Sequence, residues 1–467
     1  MTPNLRRGPA RTAAAVLVLS VAAATAACSS GGDSDPSAAA GETDPGEAAD
    51  MAVLSDDDIA AAMETPTELT FWTWVTDIEN EVALFEEKYP AIDVEVVNAG
   101  QGADEYTKLR TALTAGSGAP DVAQIEYQFI PSFTGADNLL DLRPYGAAEL
   151  QDQFVDWTWS QVTGADGGVY AYPQDTGPMG MLYREDILSE AGIEPPTTWE
   201  EFATAAATLN ESNPDVYLTN IASNDAGAWN GLMWQAGSKP FTEVDSDGTV
   251  GISLDDDASR KVADYWGGLV ADGVVATDPD FTDQWYQGLS NGTYATWLTA
   301  AWGPLFLSTA AEGTSGKWRA APLPQWEGEP VAGNWGGSTS AVMATTKNPI
   351  AAAKLAEFIN TDPESTQMLA NEQFLFPANL GVLEDPDFLA QELDFYGGQQ
   401  VNQVFSDISA TVDTDFTWSP FQDQVFSDWN DTVGTALVEA DDVAAATEEW
   451  QSRVVDFAET QGFTPAQ

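Results

Sequence analysis

From residue 69 onward the apolar positions of the chain alternate between two rhythms. Residues 69–74 (LTFWTW) form an apolar run of strand length; Ile78, Val82 and Phe85 then mark one face of a helix that Tyr89-Pro90 ends. Residues 94–97 are again strand-like, and Tyr106, Leu109 and Leu113 mark a second helix. Gly116-Ser117-Gly118-Ala119-Pro120 then turns the chain into a strand over residues 121–125. This βαβαβ order predicts a three-layer α/β domain with a largely parallel sheet, whose ligands sit at the carboxyl ends of the strands. Upstream, Ser55-Asp56-Asp57-Asp58 ahead of Ile59 and Met63 predicts a capped short helix.

A second α/β section follows. Residues 179–183 predict a strand, 186–191 a short helix, and Thr197-Thr198 the cap of a helix carrying Trp199, Phe202, Ala206 and Leu209. Residues 258–270 are helical and 293–298 strand-like. Residues 331–345 (VAGNWGGSTSAVMAT) form a glycine-rich approach to another strand, with a helix over 350–360. Apolar positions at helical spacing fill 421–438 and 443–457. No internal repeat of solenoid period is present.

Composition narrows the chemistry. With 43% hydrophobic residues, 10% aromatics and 17 tryptophans in 467 residues, the chain has ample material for a core, and about 400 residues beyond the N-terminal region suffice for two domains. The absence of histidine excludes Ser-His-Asp and Cys-His triads and the H-E-x-x-H zinc motif. No phosphate-binding loop and no Rossmann fingerprint occurs, so no cofactor is expected. An Asp/Glu pair for glycoside hydrolysis stays open, although 74 acidic residues give no basis for choosing one. The net charge of −58 repels nucleic acid and anionic headgroups, which excludes a nucleic-acid role. A solvated exterior accounts for the acidity; adaptation to a saline medium is the alternative.

The single cysteine, Cys28, follows an export signal: Arg6, Arg7 and Arg11, an apolar run over residues 13–26, and Thr25-Ala26-Ala27 before the thiol. The run is shorter than the ~20 residues of a membrane span. The segment resembles a bacterial lipoprotein signal, with Thr25 where that family usually has Leu. The resemblance implies that residues 1–27 are removed and that Cys28 carries the lipid; an ordinary secretory signal is the competing reading. Removal takes three arginines and no acid, deepening the charge to −61. Residues 28–66 read as an acidic flexible tether.

Five segments together carry a second resemblance: LTFWTW…LFEEKYPAIDVEVV, YTKLRTALTAGSGAPDVAQIE, VYAYPQDTGPMGMLYREDILSEAGIEPPTTWEEF, YATWLTAAWGP and GNWGGSTSAVMATTKNP…AAKLAEFI. In this order and spacing the chain resembles the solute-binding proteins of bacterial ABC importers, in the extracellular family 1 group that includes maltose-binding proteins. The resemblance implies a two-lobed α/β fold of the periplasmic-binding-protein-like type II class, with hinge crossovers at residues 173–176, 331–335 and near 377–381. Lobe 1 is then residues 67–174 and 334–378, and lobe 2 residues 175–333 and 379–467. It further implies a monomer on the outer face of the cell membrane, with a carbohydrate ligand, permease subunits as partners and no enzymatic activity.

A sugar site needs flat aromatic faces and planar hydrogen-bonding groups. Trp74, just beyond the first strand, is one candidate, and Glu126 and Tyr127 at the carboxyl end of the strand over 121–125 are others. Asp175 falls in the first crossover, and Asn334 and Trp335 in the second. Trp229 and Trp234 (AWNGLMWQAG) are further candidates. Trp302, after YATWLTAA and before Gly303-Pro304, stands where the resemblance implies a sugar-stacking ring; Gly303-Pro304 predicts a strand break that presents it at a loop edge. For each tryptophan, burial in the core is the competing reading. Three other functions compete: the same fold taking a polyol, a sugar phosphate or a metal, a cell-surface glycoside hydrolase, and a structural adhesin. The cleft segments offer almost no Arg or Lys for a phosphate, and an adhesin predicts repeats or an all-β pattern that is absent.

Overall fold

The computed structural model describes residues 53–466; the export signal, Cys28 and the first part of the tether lie outside the described residues. Among the described residues ten strands enter in chain order. β1 (Thr67–Trp72) buries Leu69 and Phe71 at alternate positions, and β2 (Ile92–Val97) and β3 (Val122–Glu126) pair parallel to its two edges. β4 (Ala171–Pro173) and β5 (Met179–Arg184) follow, then the short β6 (Thr249–Gly251), β7 (Thr296–Ala300), β8 (Trp318–Pro322), β9 (Ser338–Val342) and β10 (Thr464–Ala466).

These strands make two main sheets. The first has the order β2-β1-β3-β9-β4, and the second the order β7-β5-β8. The expectation of a largely parallel sheet holds only for β1 to β3. β9 runs antiparallel to both β3 and β4, and the second sheet is antiparallel throughout. The reason is connectivity: β9 enters from the opposite sheet instead of through a right-handed crossover helix, the element that makes neighbouring strands parallel. β10 and β6 form a separate two-stranded pair.

Helix caps follow the local chemistry. Ser55 accepts from Asp58 N ahead of the helix Asp56–Met63, and Thr198 with Glu201 forms a reciprocal capping box at the start of Trp199–Ser212. The apolar stretch over 421–438 is three pieces instead of one helix: Gln422–Trp429, a π-helical turn Asn430–Gly434, and Thr435–Glu439. Gly434 sits in that turn with no room for a Cβ against the Ser223 carbonyl oxygen.

The first sheet has its own core, around Phe71, Phe85, Tyr106 and Phe358. On the other side, one cluster centres on Trp199, Trp229 and Trp266 and another on Trp285, Trp297 and Trp318. Half-buried Phe426 packs against all three. Between the sheets, three segments far apart in sequence run side by side. Gln174 N donates to Ser338 O (2.9 Å), Thr176 N to Phe376 O (2.8 Å) and Trp335 N to Gly177 O (2.8 Å), while Asp175 bridges to Pro377 and Pro178 to Asn334. A Cβ on Gly177 would collide with the Trp335 carbonyl oxygen, so the first two segments touch backbone to backbone.

Candidate functional site

On the first-sheet side of the cleft the carboxyl ends of β1 and β3 present Trp74 and Glu126. Trp74 is half-buried; its N–H donates to Gln124 Oε1 (3.1 Å), and its ring meets Tyr106 edge-on at 6.3 Å. Tyr106 holds Glu126 twice: its hydroxyl donates to Glu126 Oε2 (3.1 Å) and accepts from Glu126 N (2.9 Å). Tyr127, the next residue, is fully buried, and its hydroxyl donates to the Asp175 carbonyl (3.0 Å). Its ring packs where a Cβ on Gly337 would stand, and Gly337, at φ +90°, leaves that space free.

The crossovers supply the floor. Asp175 is buried, and its Oδ1 accepts from Ser338 N (2.8 Å). Asn334 is also buried and spends both ends on backbone, accepting from Gly177 N (2.9 Å) and donating to Gly336 O (2.8 Å). The bond with Gly177 ties the first of these segments to the second, and the bond to Gly336 braces the second.

The second-sheet side supplies the aromatic wall. Trp302 is half-buried at the N-cap of the helix Gly303–Ala310, with Pro304 in its first turn. Gly303-Pro304 therefore starts a helix, a correction to the expected loop edge: proline's fixed φ suits the first turn, and its missing N–H has no intrahelical partner there. Trp302 Nε1 donates to Trp335 O (2.9 Å), and the two rings meet edge-on at 4.7 Å. Phe281, 41% exposed, lies 6.1 Å from each of them. Phe306, also exposed, meets Trp302 at 5.6 Å.

Trp229 and Trp234 occupy different surroundings. Trp229 is buried against Trp429, with its Nε1 unpartnered. Trp234 is fully buried, stacked on Phe416 at 4.3 Å, and its Nε1 donates to Asp413 O (2.9 Å). Both rings belong to the interior beneath the cleft wall.

Electrostatics mark the cleft as acidic. Burial pushes the Glu126 carboxyl up to about 7 and the Asp175 carboxyl up to about 7, and each of the two also lies in the field of another cleft acid, Asp225 for Glu126 and Glu126 for Asp175. Asp225 and Asp280 are raised by burial too, and Asp280 by its neighbour Asp225 as well. Among the described residues no lysine or arginine acts on any of these four groups. Such a set of buried carboxyls offers hydrogen-bonding groups to hydroxyls and no counter-charge to an anion. Among the described residues no group of three or more Cys, Asp or Glu is arranged to hold a metal ion.

Sequence reasoning did not single out Tyr106, Asp225, Asp280 or Phe281. Tyr106 reads as one more apolar helix position, and the two acids stand among 74 acidic residues with no local pattern. Phe281 takes φ +55°, a conformation that carries no signal in the sequence of a non-glycine residue.

Residues 72–365 match the family described as bacterial extracellular solute-binding protein, and the chain belongs to that family. Among curated relatives it is similar to an arabinooligosaccharide-binding protein of Halalkalibacterium halodurans, at 26% identity over 78% of this chain and 82% of the relative. A lactose-binding protein of Rhizobium radiobacter is 28% identical over 73% of this chain and 81% of its own length. Among solved structures, the ABC-transporter-associated binding protein of Bifidobacterium animalis subsp. lactis in complex with β-1,6-galactobiose superposes with a TM-score of 0.74 at 31% identity, over 86% of this chain and 99% of that one. The galacto-N-biose/lacto-N-biose I-binding protein of Bifidobacterium longum, in complex with lacto-N-biose, gives 0.75 at 27% identity over 85% and 98%. The fold is accordingly the two-lobed, periplasmic-binding-protein-like one. Among the described residues no helix is long and apolar enough to cross a membrane.

Proposed function

We propose that this protein captures a carbohydrate, an oligosaccharide, in the cleft between its two lobes and delivers it to the permease of an ABC importer. It binds solute and is not an enzyme. One observation carries the reading: Trp302, Trp335 and Phe281 group together, Trp335 lies beside Gly227 in the helix that follows Asp225, and Asp225 in turn acts on Glu126, with no cation among the described groups acting on either acid. Aromatic faces fit the C–H surface of a sugar ring, and carboxylates fit its hydroxyls. Trp74, Glu126, Asp175, Trp302 and Trp335 are the ligand-contact candidates. Tyr127 and Asn334 position the crossovers, and Trp229 and Trp234 support the wall from below.

Lobe 1 comprises residues 67–174 and 334–378, and lobe 2 residues 175–333 and 379–467. The interlocked segments around Asp175, Trp335 and Pro377 absorb the rotation between them. At the cell surface the protein is a monomer held by lipid on Cys28 after removal of residues 1–27, with the acidic stretch up to residue 66 as its tether.

A thermal-shift screen tests the reading. A saccharide that binds the native state raises the melting temperature by mass action. With β-1,6-galactobiose, lacto-N-biose, lactose and arabinotriose as neutral probes, at least one is expected to give a saturable rise. Sugar phosphates, polyols and divalent cations are expected to give none. A rise with those alone would overturn the carbohydrate reading.

A further inference from the structure

The loop over residues 278–282 is held in an unusual way. Asn220 and Asn224, four residues apart, each grip it by a reciprocal pair of hydrogen bonds. Asn220 accepts from Asp278 N (2.7 Å) and donates to Asp278 O (2.9 Å); Asn224 accepts from Asp280 N (2.9 Å) and donates to Asp280 O (3.5 Å). Thr282 then caps the helix Asp283–Asn291 by accepting from Trp285 N. The grip itself is braced, because the backbone of Ser223, just before Asn224, rests on Gly434 of the π-helical turn.

This rigid loop carries two costly side chains. Asp280 is 4% exposed, and its Oδ1 has no hydrogen-bond partner among the described residues. A buried carboxyl oxygen without a partner is unfavourable, and burial together with the nearby Asp225 pushes the Asp280 carboxyl up to about 8. Phe281 combines φ +55° with a ring 41% exposed. Backbone strain and solvent exposure of an aromatic each oppose folding, so the position is explained by something the ring and the orphan oxygen do together. Both adjoin the cleft wall: Phe281 lies 6.1 Å from Trp302 and from Trp335. Asp225 accepts from Ala228 N (2.8 Å) at the start of the helix Ala226–Gln235, where Gly227 leaves room for the Trp335 indole nitrogen.

We propose that Asp280 and Phe281, with Asp225 beside them, form a specificity-determining corner of the cleft that receives one hydroxyl-bearing sugar ring of a neutral oligosaccharide and refuses a ring bearing a carboxylate. The Phe281 ring extends the Trp302–Trp335 wall and covers a sugar face. Asp280 Oδ1 accepts the hydroxyl proton that the protein does not supply. A uronic acid placed there would bring a third acid beside two whose ionisation burial already opposes, with no cation among the described groups that act on them. The inference rests on the carbohydrate reading and narrows it to the charge of the ligand and to residues outside those expected from the sequence.

The test uses the full mature protein and isothermal titration with β-1,6-galactobiose, lacto-N-biose, lactose, arabinotriose and digalacturonic acid, on wild type, Asp280→Asn and Phe281→Ala. A neutral saccharide is expected to bind wild type and digalacturonic acid not to bind. Asp280→Asn is expected to weaken the neutral saccharide at least tenfold while the melting temperature of the sugar-free protein holds or rises, because a buried acid whose ionisation opposes folding has gone. A purely structural Asp280 would lose both together. Phe281→Ala is expected to weaken binding with the fold intact, and it serves where the first variant expresses poorly. Wild-type affinity in both variants, or digalacturonic acid bound as tightly as the neutral saccharide, overturns this corner and leaves the carbohydrate reading standing. No binding of any saccharide to wild type overturns both.

Discussion

Arg110 and Asp423, 313 residues apart in sequence, meet in a 2.7 Å ion pair. Arg110 also lies over the Phe133 ring, and nearby Phe129 meets Phe426 edge-on at 6.1 Å. On the proposed boundaries Arg110 belongs to lobe 1 and Asp423 to lobe 2, so the pair and the aromatic contact join the two proposed lobes. Both partners are partly exposed, which limits such a pair to ~0.2–1 kcal/mol.

Asp423→Asn should therefore weaken saccharide binding by up to about fivefold, since a ligand that favours the closed form must replace the lost contact. The melting temperature of the sugar-free protein should change little. Titration of the variant checks this, and unchanged affinity would place the pair outside the closing motion.

Trp302 and Trp234 should respond in opposite ways to truncation. Trp302→Ala removes a half-buried ring from the cleft wall and is expected to cost ~1–3 kcal/mol of binding with a modest loss of stability. Trp234→Ala removes a fully buried ring stacked on Phe416 and is expected to cost ~3–5 kcal/mol of stability. Calorimetric titration and denaturant unfolding of the two variants separate these outcomes. Equal effects of both on stability would return Trp302 to the core.

Much of the architecture was legible because apolar spacing follows burial. The helices Glu79–Lys88, Asp257–Ala271 and Pro349–Thr361 and the strands β1, β2, β3 and β5 agree with the pattern to within a few residues. β4 and β8 were not legible: β4 is three buried residues with no alternation, and Trp-Arg-Ala-Ala-Pro of β8 contains no β-branched residue. Antiparallel pairing of β9 depends on where the chain returns from, which periodicity does not record. Within the cleft, Trp302 and Trp335 stood out by residue type. Asp280 and Phe281 matter through an orphan oxygen and a positive φ, properties of the folded loop alone.

The raised carboxyls give a signed pH dependence. Burial lifts Glu81 to about 7, Glu105 to about 8, and Glu126 and Asp175 to about 7, from ordinary values of 4.5 for Glu and 3.8 for Asp. Between the unfolded and folded values the native protein holds protons that the unfolded chain has released, so stability falls as pH rises through this window. The large negative charge acts in the same direction. The sugar-free protein should resist urea better at pH 5 than at pH 8, and equal midpoints would contradict the assignment of these groups as protonated at pH 5.

The proposed lipid attachment at Cys28 predicts a change of location on substitution. The wild type is expected to fractionate with membranes, and a Cys28→Ser variant should appear in the medium or retain residues 1–27. An unaltered membrane fraction would point to another means of retention.

Capture between two lobes is tested most directly by small-angle X-ray scattering of the mature protein with and without a saccharide that gives a saturable thermal shift. A ligand selective for the closed form draws the population toward it, so the radius of gyration should fall as the saccharide is titrated and stop falling at saturation. Saturated binding with an unchanged radius would contradict capture by closure.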